Sequence, residues 1–222
     1  MKKFLLLLIA FIAITSISNA QIVKQNSVKI NKQDKEPSES MWYARFGLNF
    51  MSAGGDDVDE LKSNLGYQLV WGFEKPIGPL FWGMEFGLGS RGYKAKEGDM
   101  KLTAHNGVFS PFNLGYKHEL SSDLALEAHI GVYVAGDYYG KAKDVVTGYN
   151  YKKGYEYYEY GDCSIYDLDG YVFPDAGMQF GFGLWYNVIG VDILVQKGFV
   201  NWNKDEDSFH TSNFMIRLGL KF

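Results

Sequence analysis

The last ten residues, Asn213-Phe214-Met215-Ile216-Arg217-Leu218-Gly219-Leu220-Lys221-Phe222, decide the fold that the sequence predicts. Every second residue from Phe214 is apolar, and the residues between are mostly small or polar, with two cations, Arg217 and Lys221. Successive side chains of a β-strand point to opposite faces, so one face suits hydrocarbon and the other needs water or counter-charges. The stretch therefore predicts a strand that crosses a membrane as part of a barrel.

The preceding chain repeats this period of two. The other predicted strands are 41–50, 65–74, 80–91, 105–116, 124–137, 175–186 and 191–196. Pro111 falls inside the fourth and predicts a bulge or bend there, with Val108 on the same face as Phe112, Leu114 and Tyr116. Together with 213–222 these make eight strands, the number found in the smallest outer-membrane barrels.

The connections between these strands alternate in length. The odd ones, 51–63, 93–103, 138–172 and 201–210, are long and polar, and the even ones, 75–79, 117–123 and 187–190, are short. An up-and-down meander places all odd connections at one end. The sequence thus predicts an all-β, eight-stranded antiparallel up-and-down transmembrane β-barrel with long extracellular loops, short periplasmic turns and periplasmic termini.

The amino-terminal residues predict export. Residues 1–20 contain two lysines, an apolar run and a small-residue end, as in a signal peptide cleaved near Ala20. The polar, aperiodic residues 21–40 are expected to be a tether, which leaves 41–222 as the barrel domain. We therefore expect the mature protein in the bacterial outer membrane, as a monomer in contact with outer-membrane lipid.

Composition supports the same class. The chain has 26 Gly, 16 Tyr, 16 Phe and 5 Trp but only 5 Pro, as expected for β-structure that leaves apolar surface facing lipid. A net charge of −4 does not favour nucleic acid as a partner. The single cysteine, Cys163, excludes an internal disulfide or a thiolate metal cluster.

The face opposite the apolar one collects polar side chains that predict a filled lumen. An eight-stranded barrel is just wide enough inside for its own side chains, and unpaired charges there are costly. We expect Arg45 and Arg217 to pair with Glu85 and Glu127, within a network of Arg45, Glu85, Arg91, Glu127, His129 and Arg217.

Candidate chemistry in this sequence is sparse. Glu127 and His129 share the inner face and invite an acid/base interpretation, but no serine or second carboxylate is placed to complete a site. The acidic loop residues follow no calcium-loop spacing. The sequence therefore predicts no enzyme, no catalytic residue, no cofactor and no metal.

The long loop 138–172 carries tyrosines among lysines, aspartates and glycines, with a hairpin within it left open. Exposed tyrosines supply contact area at low entropic cost, which favours binding of an extracellular protein or glycan. The other interpretation is a lid over the barrel mouth, and the two are compatible.

Three phrases carry a family resemblance: Met84-Glu85-Phe86-Gly87-Leu88 with Gly89-Ser90-Arg91-Gly92, Asp175-Ala176-Gly177-Met178-Gln179-Phe180-Gly181-Phe182-Gly183, and Leu218-Gly219-Leu220-Lys221-Phe222. Over about residues 41–222 the sequence resembles the PorT-like outer-membrane β-barrel family of Bacteroidetes-type bacteria. The resemblance implies an outer-membrane barrel, and most members of that family have no assigned activity. Phe222 matches the signal that barrel-assembly machinery is expected to read in this class. Pro111 and the enlarged loop 138–172 depart from the family pattern.

Three functions remain open on the sequence. The first is a non-enzymatic barrel whose long loops bind a partner or protect the envelope. The second is a narrow channel or an accessory of transport or secretion. The third is a soluble, secreted, lipocalin-like barrel that binds an apolar ligand, which requires the Leu/Phe/Val face to point inward.

Overall fold

The computed structural model describes residues 40–55, 60–152, 155–168, 174–201 and 209–222. The predicted signal peptide 1–20 and nearly all of the tether 21–40 lie outside these residues. Among the residues described, no helix is long and apolar enough to cross a membrane.

The described chain is almost entirely β-structure. Its strands are β1 Met41–Gly55, β2 Leu61–Ser63, β3 Leu65–Ile77, β4 Leu80–Ala95, β5 Lys101–Glu119, β6 Leu124–Lys152, β7 Tyr155–Ser164, β8 Pro174–Tyr186, β9 Ile189–Gly198 and β10 Phe209–Lys221, with one 3-10 helix at Ile165–Asp167 between β7 and β8.

Strand pairing closes these strands into a ring. The order runs β5, β4, β3, β1, β10, β9, β8, β6 and returns to β5, with every pairing antiparallel. The remaining two of the ten strands lie off the ring, since β2 pairs with β4 and β7 with β6. The ring therefore contains eight strands, and the predicted antiparallel up-and-down barrel is confirmed.

The terminal strand seals this ring. β10 pairs with β1 from Tyr43↔Lys221 to Gly55↔Phe209 and with β9 on its other side. Each backbone edge of β10 thus has a neighbour, as a closed barrel requires.

Several strands continue beyond their predicted ends at the long-loop end of the barrel. The predicted loop 51–63 is wrong at both of its ends, because 51–55 belongs to β1 and 61–63 forms β2. Backbone pairing continues here although the outer side chains are no longer consistently apolar. A side-chain period marks only the part of a strand whose two faces meet different surroundings.

Pro111 lies in an irregularity of β5, as predicted. The register with β6 passes from Phe109↔Val134 to Phe112↔Val132, so two residues of β5, Ser110 and Pro111, stand against the single residue Tyr133 of β6. The prediction that Val108 shares the outer face is wrong: Val108 is buried and packs against Tyr133 and Ala135 inside the barrel. The break in register changes which residues face outward, a known effect of bulges.

Much of the predicted loop 138–172 is a long hairpin, the possibility that the sequence left open. β6 pairs with β8 only as far as Gly136 and with β5 only as far as Lys143, yet it continues to Lys152 and pairs there with β7. We call residues 144–164 the β6–β7 hairpin. It extends beyond the last wall neighbour that β6 has in the ring.

Candidate functional site

The barrel is apolar outside and polar inside. On β8, Phe180 and Phe182 point outward and are 52% and 54% exposed, whereas Gln179, between Met178 and Phe180, is 0% exposed. The same alternation runs around the ring, so the exposed side chains of the wall are mainly Leu, Ile, Val, Phe, Trp and Tyr. The lipocalin-like alternative needs the opposite arrangement, and for the described barrel it is wrong.

Several large aromatic side chains lie on the outer face of the barrel. Trp42, Tyr67, Trp71, Tyr116 and Tyr186 are exposed, and Trp82 is half-buried on the same side. Such residues collect where a barrel wall meets the polar boundary of a lipid bilayer.

Arg217 and Asp192 form a two-pronged ion pair in the lumen. The guanidinium donates from Nε to Asp192 Oδ1 at 3.0 Å and from Nη2 to Oδ2 at 2.5 Å. Its Nη1 lies 3.6 Å from Glu85 Oε2. Because both side chains of the pair are almost fully buried, the two-pronged contact offsets the desolvation of both charges.

Arg45 lies next to this pair and joins two further carboxylates. It donates to Glu85 through Nη1 and to Glu127 through Nη2, the latter at 3.2 Å. Its guanidinium carbon lies 4.1 Å from the centre of the Tyr43 ring, and the Tyr43 hydroxyl donates to Glu85 at 2.9 Å. Glu85 is thus held by groups from β1 and β10, and Gln179 of β8 donates to its Oε2 at 3.4 Å.

Lys221 occupies the short-turn end of the lumen. Its ammonium group donates to Glu74 at 2.5 Å and to Glu127 at 2.6 Å, and lies 4.2 Å from the centre of the Trp185 ring. A Cβ added at Gly219 would lie 2.5 Å from the Trp185 indole. The absence of a side chain at position 219 therefore makes room for the indole.

A second cluster, in the long-loop half, is centred on Arg91. Arg91 donates to Asp137 through Nε and Nη2, each at 3.1 Å, and to Asp175 through Nη1 at 2.8 Å. Asp175 also accepts from Thr211 at 2.7 Å and from Tyr133 at 3.3 Å. These residues form a group separate from that of Arg45 and Arg217.

The 3-10 helix fills the barrel mouth above this second cluster. Ile165 is 0% exposed and packs against the inward-facing Leu102 and Ala104. The hydroxyl of Tyr166 donates to the backbone carbonyl of Asp137 at 2.7 Å. This part of 138–172 packs against the inner face of the wall at the long-loop end.

The structure places the six predicted network residues in three settings. Arg45, Glu85, Glu127 and Arg217 come together, whereas Arg91 lies in the separate cluster. His129 is buried, and its Nε2 has no hydrogen-bond partner among the residues described. Its ring lies against Gly181, where an added Cβ would come within 2.1 Å.

Five charged residues of these clusters were not predicted as members: Glu74, Asp137, Asp175, Asp192 and Lys221. Each occupies an inward position of its strand, so the period of two already placed it on the correct face. The period of two does not give the position of a residue along the barrel axis, and that position decides which side chains can contact one another. Phe222, the predicted assembly signal, follows β10 and is exposed.

The β6–β7 hairpin carries exposed aromatic groups. Tyr158 and Tyr160 are 54% and 63% exposed, and Tyr166, just after the hairpin, is 50% exposed. The side chains of 149–152 and 155–157 lie outside the described part.

A closed eight-stranded barrel with an apolar exterior and a charged, filled interior has the architecture of an integral membrane β-barrel. The assignment rests on the register and burial given above. No family model matches this chain, and no curated protein matches it.

Three solved structures illustrate a similar chain course. Neisserial surface protein A is 9% identical and covers 83% of this chain and 100% of its own, with a TM-score of 0.46. The attachment invasion locus protein Ail of Yersinia pestis, in complex with the heparin analogue sucrose octasulfate, is 13% identical at 83% and 100% coverage, with a TM-score of 0.44. The outer membrane enzyme PagL is 10% identical at 79% and 98% coverage, with a TM-score of 0.46.

Proposed function

We propose that this chain is a non-enzymatic barrel of a bacterial outer membrane that presents the β6–β7 hairpin to an extracellular protein or glycan. The observation that carries the proposal is the length of β6. β6 continues from Lys143, its last pairing with the wall, to Lys152, and β7 returns beside it. A hairpin of this length is not required to close the ring.

Surface chemistry of the hairpin supports a binding role. Tyr158 and Tyr160 lie two residues apart on β7, so their exposed rings share one face of the hairpin. Tyrosine offers a large, rigid contact surface with a hydroxyl for hydrogen bonding. Backbone pairing with β6 holds these side chains in a fixed arrangement, which lowers the entropic cost of binding.

Lumen geometry supports the non-enzymatic part of the proposal. The Glu127 carboxylate accepts from Arg45 and Lys221, and within the described residues no hydrogen bond joins it to His129. A general acid or base must exchange its proton with a substrate, and a carboxylate held by two buried cations is poorly suited to that. The lumen network is better explained as structural.

The proposal also includes the orientation of the barrel in the membrane and its family membership. The chain enters at β1 and leaves at β10 on the short-turn side, which we place in the periplasm, with the hairpin outside. Barrel-assembly machinery is the expected partner during insertion. Membership of the PorT-like family stays a prediction that rests on the three quoted phrases.

Protease treatment of intact cells tests this orientation. We expect cleavage within 144–164 and none at 75–79, because only the hairpin side meets the protease. Cleavage at 75–79 with an intact hairpin would reverse the orientation and remove the proposed binding surface from the outside.

A photo-crosslinking residue tests the binding role. Placed at Tyr160, it should form adducts with protein or glycan on living cells. The matched control is the same residue at Tyr116, which is exposed on the wall and should form adducts only with lipid. Identical adducts at both positions would count against the hairpin as a binding surface.

A further inference from the structure

Four lysines form a continuous row on the outer surface at the long-loop end. Strand register places Lys62 opposite Lys94, Lys94 opposite Lys101, and Lys101 opposite Lys143. Residues directly opposite in an antiparallel pair share a face, so all four side chains project from the same side of the sheet. All four are exposed. We call this set the lysine row.

The row concentrates positive charge where the sheet itself does not compensate it. Neighbouring strands lie about 4.8 Å apart, so the four positions span about 14 Å. Like charges directly opposite one another are destabilising. Among the ion pairs formed by the described residues, none includes a lysine of the row. An anion bound along the row would relieve this repulsion.

A groove on the same face continues from the row toward the membrane. It has a volume of about 170 Å³ and is lined by Lys101, Thr103, His105, Tyr139, Lys141 and Lys143. Lys141 lies opposite Thr103, and His105 opposite Tyr139, so the groove runs down the β5–β6 pair. The lysines of the groove lie toward the long-loop end, and its aromatic rings lie toward the membrane.

Aromatic groups form the floor of this groove. The His105 ring lies 5.7 Å from that of Tyr139 and 6.2 Å from that of Tyr67, measured between ring centres. The Tyr67 hydroxyl lies 3.4 Å from His105 Nδ1. Such amphipathic rings favour the level at which lipid headgroups meet acyl chains.

On the membrane side of the aromatic floor, the outer surface of β5 and β6 first has a pair of glycines and then apolar side chains. Gly107 lies opposite Gly136, and a Cβ added at either would meet no atom within 4 Å. The next outward pair is Phe109 and Val134, both exposed. The two glycines thus leave a shallow recess between the rings and the hydrocarbon-facing wall.

We propose that this face binds the phosphate-bearing headgroup of a lipid in the leaflet at the long-loop end. The lysine row and Lys141 bind the phosphate, the His105–Tyr139 floor supports the headgroup, and one acyl chain enters the Gly107–Gly136 recess. Lysine ammonium groups bind phosphate as point charges. The length of the row suits a headgroup that carries more than one phosphate. This inference rests on the proposed function, because it needs the wall to lie in lipid.

The order of charge, ring, recess and apolar wall along one strand pair favours a lipid over a soluble polyanion. A soluble polyanion would use the lysines alone. Bisphosphorylated lipid A is therefore the probe, and the same lipid without its phosphates and inorganic tripolyphosphate are the two matched comparisons.

Native mass spectrometry of the full folded barrel in detergent provides the test. We expect wild type to retain the bisphosphorylated lipid in preference to the dephosphorylated one. Lys101→Gln/Lys143→Gln should weaken retention by about tenfold or more, since each lysine contributes separately to attraction of anionic lipid. The charge-matched control is Lys75→Gln/Lys197→Gln, which changes exposed lysines outside the row and should bind as wild type does.

A second variant separates the two halves of the site. The Cβ of Gly107→Phe would meet no atom within 4 Å and its ring would project into the recess, so the barrel should fold and show its usual heat-dependent gel mobility. It should lose lipid retention while tripolyphosphate still binds at wild-type strength. Equal lipid retention by wild type and Gly107→Phe would overturn the proposal that an acyl chain binds in the recess.

The remaining outcomes are distinguishable from failure of the proposed function. No preference of wild type for the phosphorylated lipid, or full competition by tripolyphosphate at equal concentration, would overturn the lipid site while leaving the membrane barrel intact. Purification of the protein in aqueous buffer without detergent would instead contradict the proposed function itself.

Discussion

Arg217 shows how much one lumen side chain contributes to the fold. Its guanidinium is the main partner of Asp192 and also approaches Glu85. Replacing Arg217 by Met keeps an unbranched, largely aliphatic side chain but leaves buried carboxylates without this cation. We expect Arg217→Met to lower the free energy of unfolding by about 3–5 kcal/mol, measured by urea unfolding in lipid vesicles.

Two controls separate charge from packing at this position. Arg217→Met/Asp192→Leu removes both members of the pair and should recover most of the loss, because no unpaired partner of that pair remains. Lys197→Gln, on the exposed side of β9, should unfold as wild type does. If Arg217→Met alone matched wild type, the ion pair would have no measurable role in stability.

The reactivity of the Cys163 thiol on β7 should depend on pH. Partial burial, and then the carboxylates of Asp167 and Asp162, raise the pKa of the Cys163 thiol above its ordinary value. A raised pKa means less thiolate at neutral pH, so maleimide should react slowly there and faster as the pH rises.

The matched variant for this thiol is Asp162→Asn/Asp167→Asn. It removes two negative charges near Cys163 and should increase the rate of alkylation at neutral pH. Rates that are the same in both proteins across the pH range would show that the carboxylates do not influence the thiol.

At the residue scale, sequence periodicity predicted which side chains face inward but not their partners. Arg45, Glu85, Glu127 and Arg217 come together in the structure because they lie at similar heights in the barrel. Arg91 has the same parity as Glu85 on β4 but lies further toward the long-loop end, where Asp137 and Asp175 lie. The position of a residue along the barrel axis depends on strand tilt and stagger, and a period of two gives no information about either.

At the scale of elements, β10 closes the barrel, and its last residues decide whether closure occurs. Deleting Phe222 leaves the pairing of β10 with β1 intact in length, since that pairing ends at Tyr43↔Lys221. We nevertheless expect the deletion to impair assembly, because a terminal aromatic residue is the expected recognition signal. The heat-resistant folded fraction in isolated membranes measures the loss.

A shortened hairpin is the comparison for this deletion. Replacing 146–160 by an Asn-Gly turn removes more residues but no wall pairing, since β5 and β6 part at Lys143. This variant should assemble as wild type does. Normal insertion of the Phe222 deletion, or failure of the shortened hairpin, would contradict this account of assembly.

Elements that lie beyond the lipid-facing band were the hardest to predict. The wall segments alternate because one face meets hydrocarbon and the other a polar lumen. In the β6–β7 hairpin that contrast is absent, so 138–172 shows no clean period although backbone pairing continues. Val108 was misplaced for another reason, because the irregularity at Pro111 shifts the parity of β5.

At the scale of the whole molecule, side chains occupy the lumen from one end to the other. Trp185 and Lys221 lie at the short-turn end, the carboxylates and guanidinium groups fill the middle, and Ile165 covers the mouth. An ion crossing the barrel would have to displace several buried ion pairs, each costly to separate. This arrangement bears on the alternative of a narrow channel.

We therefore expect wild-type protein in planar bilayers to show no single-channel current steps. Trp185→Ala/Ile165→Ala removes the large side chain at each end and should give brief openings, because water then reaches the ion pairs and screens them. Tyr186→Ala/Tyr160→Ala is the matched control, since both side chains are exposed outside the lumen, and it should stay silent. Reproducible steps in wild type would instead support the channel, and equal currents in the two double variants would show that the end residues do not seal the lumen.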